Sequence, residues 1–170
     1  MNRFASLLVC GALLLTCATA HAKPEPLEVS KDNFLSLQFK SNGGWLHPHF
    51  KTYTVRNHKI SRKIVDLIHA RGTKKQPEER TLSPDEWTQL LGQLKKLNAP
   101  AIAGRYMDKG VLDAPSQSLD LTLFDASRHQ QTFSLSSYGY KAPAAFYAFQ
   151  GYLGTLVKRK FGPSSSPTAR

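Results

Sequence analysis

Halfway along the chain, Ser83-Pro84-Asp85-Glu86 marks the start of a helix in side-chain chemistry. A serine that can cap, a proline suited to the first helical position and a glutamate three residues after the serine are the parts of a capping box. Trp87, Leu90, Leu91, Leu94 and Leu97 follow at spacings of three and four, so they form one apolar stripe. Lys95 and Lys96 fall in the last turn, where the helix dipole favours cations, and Asn98-Ala99-Pro100 ends the run. A helix apolar on one side needs a second layer to cover it. The flanking sequence supplies that layer as strands.

Between Phe34 and Lys40 the pattern has period two, with Leu35, Leu37 and Phe39 set against Ser36, Gln38 and Lys40. Ser41-Asn42-Gly43-Gly44 is turn chemistry. Phe50–Val55 and Lys59–Ile68 are β-prone runs around Arg56-Asn57-His58-Lys59, which predicts a hairpin. If the turn centres between Asn57 and His58, His49 faces Asp66 and His47 faces Ile68, with His69 on the other side of the sheet. Arg71–Arg80 reads as a polar loop and Ala99–Gln117 as an irregular stretch. Leu119, Leu121 and Leu123 form one strand, and Phe133 and Leu135 belong to another across Asp125-Ala126-Ser127. A second helix runs from near Pro143 to about Lys160, with Phe146, Phe149, Leu153, Leu156 and Val157 as its stripe. The expected class is α+β, order βββαββα: an antiparallel sheet of about five strands with two helices packed on one face. The domain spans 33–161, after an extended leader over 23–32 and before a Ser/Pro-rich tail over 162–170.

The first 22 residues have the layout of a secretory signal peptide. Met1-Asn2-Arg3 is the basic start, Phe4–Thr16 an apolar run too short to span a bilayer, and Ala20-His21-Ala22 a small-x-small cleavage site. The expected location is therefore periplasmic or secreted, with cleavage after Ala22. Cleavage after Ala20 is the near alternative. A lipidated Cys17 after Leu14-Leu15-Thr16 is another, and would tether the domain to a membrane. Cleavage after Ala22 leaves 148 of the 170 residues and removes both cysteines, so no disulfide braces the domain. The segment carries one base, Arg3, and no acid, so the formal charge falls from +11 to +10.

That charge favours acidic partners: an acidic protein or an anionic envelope component. Lys59, Arg62 and Lys63 gather on the hairpin, Lys74-Lys75 in the polar loop and Lys158-Arg159-Lys160 at the end of the second helix. No nucleic-acid-binding motif accompanies them. There is no Gly-x-Ser-x-Gly elbow, and the acids Asp85 and Glu86 are accounted for by the helix start. No catalytic residue and no cofactor is assigned. His47, His49 and Asp66 are the candidates for a metal site, because the predicted hairpin register brings two imidazoles and a carboxylate together. A metal-dependent enzyme is the reading they would support.

The segment Gly43-Gly44-Trp45-Leu46-His47-Pro48-His49 combines a free backbone with an aromatic and an aliphatic side chain. A strand followed by Gly-Gly-aromatic-x-x-Pro resembles emfourin-type bacterial proteins, small inhibitors of thermolysin-like metalloproteases. The resemblance covers Gly43–Pro48 and implies that this loop would lie near a protease. From the residues themselves the chain reads as an exported, non-enzymatic binding protein, an inhibitor or immunity-type partner of another protein. Gly43, Gly44, Trp45, Leu46, His47 and His49 are the expected contacts, and Lys59, Arg62 and Lys63 their electrostatic support. Binding of an anionic envelope polymer or a membrane surface is the alternative that rests on charge alone.

Overall fold

A computed structural model describes residues 29–43, 49–66, 76–111 and 114–162. The signal peptide, Gly44–Pro48 and the tail beyond 162 lie outside that set. The order is β1 (Phe34–Asn42), β2 (His49–Arg56), β3 (Lys59–Asp66), β4 (Glu78–Thr81), α1 (Pro84–Leu97), α2 (Ala99–Ile102), β5 (Gly104–Met107), β6 (Ser116–Phe124), β7 (Gln130–Tyr138) and α3 (Ala144–Phe161). The strands make one seven-stranded sheet in the order β4-β3-β2-β1-β6-β7-β5. Neighbours are antiparallel except β5, which runs parallel to β7.

The α+β class is as expected, but the described residues hold seven strands and three helices rather than about five and two. Each addition has a physical reason for escaping the pattern. β4 (Glu-Glu-Arg-Thr) is exposed at every position, so no apolar alternation marks it. It is held by backbone pairing to β3 and by Lys59–Glu79 and Arg62–Glu78 ion pairs at 2.8 and 3.0 Å. β5 is a four-residue edge strand in which Tyr106 is half-buried and the other three residues are exposed. Its parallel pairing follows from α1 and α2, which carry the chain across the sheet before it returns at the far edge. α2 is a single turn of Ala-Pro-Ala-Ile, too short to have a stripe.

Register explains which face is buried. Leu37 pairs with Val55 and Leu121, and Phe39 with Tyr53 and Leu119; Leu119 in turn pairs with Leu135. These residues share one face, and Leu37, Val55, Leu119, Leu121 and Leu135 join the core with Leu90, Leu94, Phe146 and Leu153 of the helices. Phe34 meets Trp87 of α1 edge-on at 5.1 Å, and Phe39 meets Phe146 of α3 at 6.2 Å, so both long helices lie on that same face. A bulge between Phe34 and Ser36 corrects the expected alternation: Leu35 is passed over by the pairing with β6, and Phe34 sits opposite Leu123. The hairpin turn places Asn57 and His58 at φ 49° and 60°, the left-handed pair that a two-residue antiparallel turn requires. Its register is the one anticipated, with His49 opposite Asp66.

The start of α1 is the capping box read from the sequence. Ser83 Oγ accepts the Glu86 N–H at 3.2 Å, and Glu86 Oε2 accepts the Ser83 N–H at 2.8 Å. The same carboxylate pairs with Lys160 in the last turn of α3, which ties the two long helices together.

Candidate functional site: the open face of the sheet

All three helices contribute to the core on one face of the sheet. Alternation therefore turns a second set of side chains outward, and pairing arranges them in rows that cross the strands. One row reads Val65–Phe50–Asn42–Ser116–Tyr138–Met107. The next, two residues along each strand, reads Lys63–Thr52–Lys40–Ser118–Ser136–Arg105. The two rows lie about 6.6 Å apart at the rise of an extended chain. One is apolar or aromatic at both ends with Asn42 and Ser116 between, while the other holds only cations and hydroxyls.

Between these rows the twisted sheet encloses a hollow of about 410 Å³, lined by Lys40, Asn42, Phe50, Arg105, Met107, Ser116, Ser118, Ser136 and Tyr138 among others. That volume lies within the range of ordinary ligand sites. Phe50 and Met107, each 41% exposed, stand on opposite sides of it. Among the described residues the remaining exposed large apolar side chains, Val111 (37%) and Tyr140 (76%), belong to the connections that leave this same end of the sheet. Four such residues gathered at one end are more than the scattered singletons usual on a protein surface.

Backbone and side-chain ties hold the rim. The Asp108 N–H donates to the Tyr138 carbonyl at 3.0 Å, and Ala114 N–H to the Tyr138 hydroxyl at 3.4 Å. Lys141 pairs with Asp108 at 3.5 Å. Gly139, at φ +76°, lets the chain turn here; a Cβ on it would stand 2.8 Å from Asp108 Cβ.

The residues singled out from the sequence divide between this end and the rest of the molecule. Gly43 is exposed at the end of β1, and its N–H donates to the His49 carbonyl at 3.4 Å, closing the base of the loop. Gly44, Trp45, Leu46 and His47 lie outside the described residues. Asn42 and Phe50, which bracket the loop, line the hollow. His49 begins β2 opposite Asp66, while His47, the other metal candidate, is not described; among the described residues no three His, Cys, Asp or Glu side chains gather as a metal would need. Lys63 belongs to the basic row. Lys59 does not join it: it sits at the far end of β3, about 23 Å along the strand from Asp66, in an ion pair with Glu79. Arg62 points to the helix side, where it pairs with Glu78 and lies 4.8 Å over the Phe161 ring. Period two separates adjacent residues onto opposite faces, so Arg62 and Lys63 cannot act together.

Lys40, Phe50, Arg105, Met107, Ser118, Ser136 and Tyr138 were not read as site residues. Lys40, Ser118 and Ser136 are the polar half of an alternation that any solvent-facing strand shows, and Phe50 and Tyr138 are aromatics of β-prone runs with nothing to mark their face. Row membership depends on strand order, and β5 carried no pattern at all.

The fold moves protonation equilibria away from the hollow. Burial raises the Tyr53 and Tyr152 hydroxyls on the helix side, against the lowering pull of Arg62 and Arg159. Burial also pushes the Glu86 carboxyl up, but the Lys160 ammonium and the Ser83 N–H together more than offset it and hold the group below its usual range. The His129 N–H, with those of Ser127 and Gln131, holds Asp125 low in the β6–β7 turn. These groups serve packing, capping and turn formation.

No protein-family model, curated protein or solved structure matches the chain. No helix among the described residues is long and apolar enough to cross a membrane.

Proposed function

We propose that the chain is an exported, non-enzymatic binding domain whose recognition surface is the loop end of the open sheet face, and that its partner is an acidic protein. The observation that carries this reading is the gathering of Phe50, Met107, Val111 and Tyr140 at the end from which the Gly43–His49 loop springs. Interfaces are built in this way, with apolar anchors at the centre and polar groups around them. Lys40 and Arg105 beside Phe50 and Met107 favour an acidic surface. Trp45, which follows Gly43-Gly44 in the sequence between β1 and β2, is the aromatic residue we would test as a further anchor.

The test is affinity capture from an envelope extract with the mature chain, Trp45→Ala, Phe50→Asp and Lys96→Glu as baits. A partner recovered by wild type and by Lys96→Glu, but lost with Phe50→Asp, supports the reading. Equal recovery by all four removes this face from it. A second reading, an anionic envelope polymer, draws on the cations of the open face, Lys40, Arg56, Lys59, Lys63 and Arg105, against Glu79 and Asp120. Polymer binding would fall steeply with salt and be indifferent to Phe50→Asp.

A further inference from the structure

We infer that the hollow is an anion pocket with an apolar wall, which receives from the partner an acidic residue and, two positions along the same extended segment, an aromatic or aliphatic one. The inference rests on the reading of the open face as a partner-binding surface.

The floor is the pair Ser118 and Ser136, directly opposed across β6 and β7. Their row continues to Lys40 on one side and Arg105 on the other. Three inter-strand spacings separate those two residues, about 14 Å between Cα atoms. Two long side chains across that gap can close over the serines from opposite sides and hold one carboxylate between them. Arginine adds a planar fork that matches a carboxylate with two parallel hydrogen bonds.

The charge here is unspent. Lys59, Arg62, Lys141 and Lys160 all have carboxylate partners within the fold. Among the described residues neither Lys40 nor Arg105 has one, and no Asp or Glu lines the hollow. A bound carboxylate would therefore displace no internal ion pair, and the serine hydroxyls can donate to it.

The spacing of the two rows selects the ligand. Side chains at i and i+2 of an extended chain point the same way and stand about 6.6 Å apart, which is also the separation of the basic and apolar rows. A segment of pattern acid-x-apolar, lying parallel to the strands, would place its carboxylate over Ser118 and Ser136 and its apolar side chain over Ser116 and against the Tyr138 ring, with Phe50 and Met107 at the two ends of that row, about 19 Å apart between Cα atoms. A polymer carrying only anions would leave the apolar row facing polar groups.

Titration of the isotopically labelled mature chain with the peptide acetyl-Gly-Glu-Thr-Phe-Gly-amide tests this, by calorimetry and by amide shifts. Binding is expected to shift the amides of Ser118 and Ser136. Replacing the peptide's Glu by Gln or its Phe by Ser, or moving the Phe next to the Glu, is expected to weaken it at least about fivefold. Lys40→Gln and Arg105→Gln should each do the same, while Lys96→Gln, an equal loss of charge in the last turn of α1, leaves affinity unchanged. Unchanged thermal melts of the two pocket variants confirm that they remain folded. Indifference to Lys40 and Arg105, indifference to peptide spacing, or tighter binding of tetragalacturonate or 3-phenylpropionate than of the peptide would each overturn the pocket. So would no binding at millimolar peptide; a partner still captured by wild type and lost with Phe50→Asp would then leave the face reading standing without it.

Discussion

Replacing Glu86 tests how the two long helices are joined. Its carboxylate accepts the Ser83 N–H at 2.8 Å and pairs with Lys160, while Arg159 stands 4.0 Å away. The residue is only 8% exposed, so these interactions are sheltered from water. Arg159, exposed at the surface, contributes little. Glu86→Gln keeps a carbonyl oxygen for the Ser83 N–H and loses the charge, at a cost of about 1–2 kcal/mol. Glu86→Ala also loses the reciprocal half of the capping box, for a total of about 2–3 kcal/mol. The sign of the pH dependence follows from the lowered carboxyl. A group whose folded-state pKa is depressed stabilises the fold above its unfolded value, and that contribution is lost as pH falls through the folded value. The gap between wild type and Glu86→Gln should be full at pH 7 and close progressively in acid, below the usual glutamate range. Urea unfolding followed by tryptophan fluorescence at pH 7, 5 and 3 measures it. A Gln variant as stable as wild type at pH 7, or a gap of the same size at all three pH values, would refute the argument.

Other consequences follow from packing and charge. Leu121, fully buried in the interior strand β6, should cost about 2–5 kcal/mol as Leu121→Ala, whereas Thr52→Ala on the open face should stay within about 0.5 kcal/mol, both read by urea denaturation. Gly139→Ala combines a positive φ with a contact at 2.8 Å, so it should cost about 1–3 kcal/mol and shift the amides of Asp108 and Lys141 while leaving those of the β2–β3 hairpin in place. Capture of the partner should weaken between low and physiological salt yet persist, because apolar anchors as well as cations hold it; complete loss at physiological salt would favour the polymer reading.

The legibility of this molecule differs from element to element for physical reasons. α1 could be read to the residue because its cap, its stripe and its terminal lysines are all local. The β2–β3 register was legible because a two-residue turn between Asn57 and His58 leaves one way to pair the runs. β4 and β5 were not, since each is a four-residue edge strand without apolar alternation, β4 held by backbone bonds and ion pairs to β3, and β5 by backbone bonds to β7, which comes later in the chain. The site was harder still. Lys59, Arg62 and Lys63 look like one basic cluster in a string, but alternation and ion pairing send them to three different places.

Local chemistry by itself determined the α+β class, the first helix with its caps and the hairpin register. Tertiary structure alone decided the strand order β4-β3-β2-β1-β6-β7-β5, and with it which side chains share the face that the long helices leave open. It also decided that Lys40 and Arg105, 65 positions apart, stand in one row across Ser118 and Ser136. Capping, turns and alternation act over a few residues and are written in the string. A row that crosses four strands depends on their spatial order, which is set by burying several stripes at once.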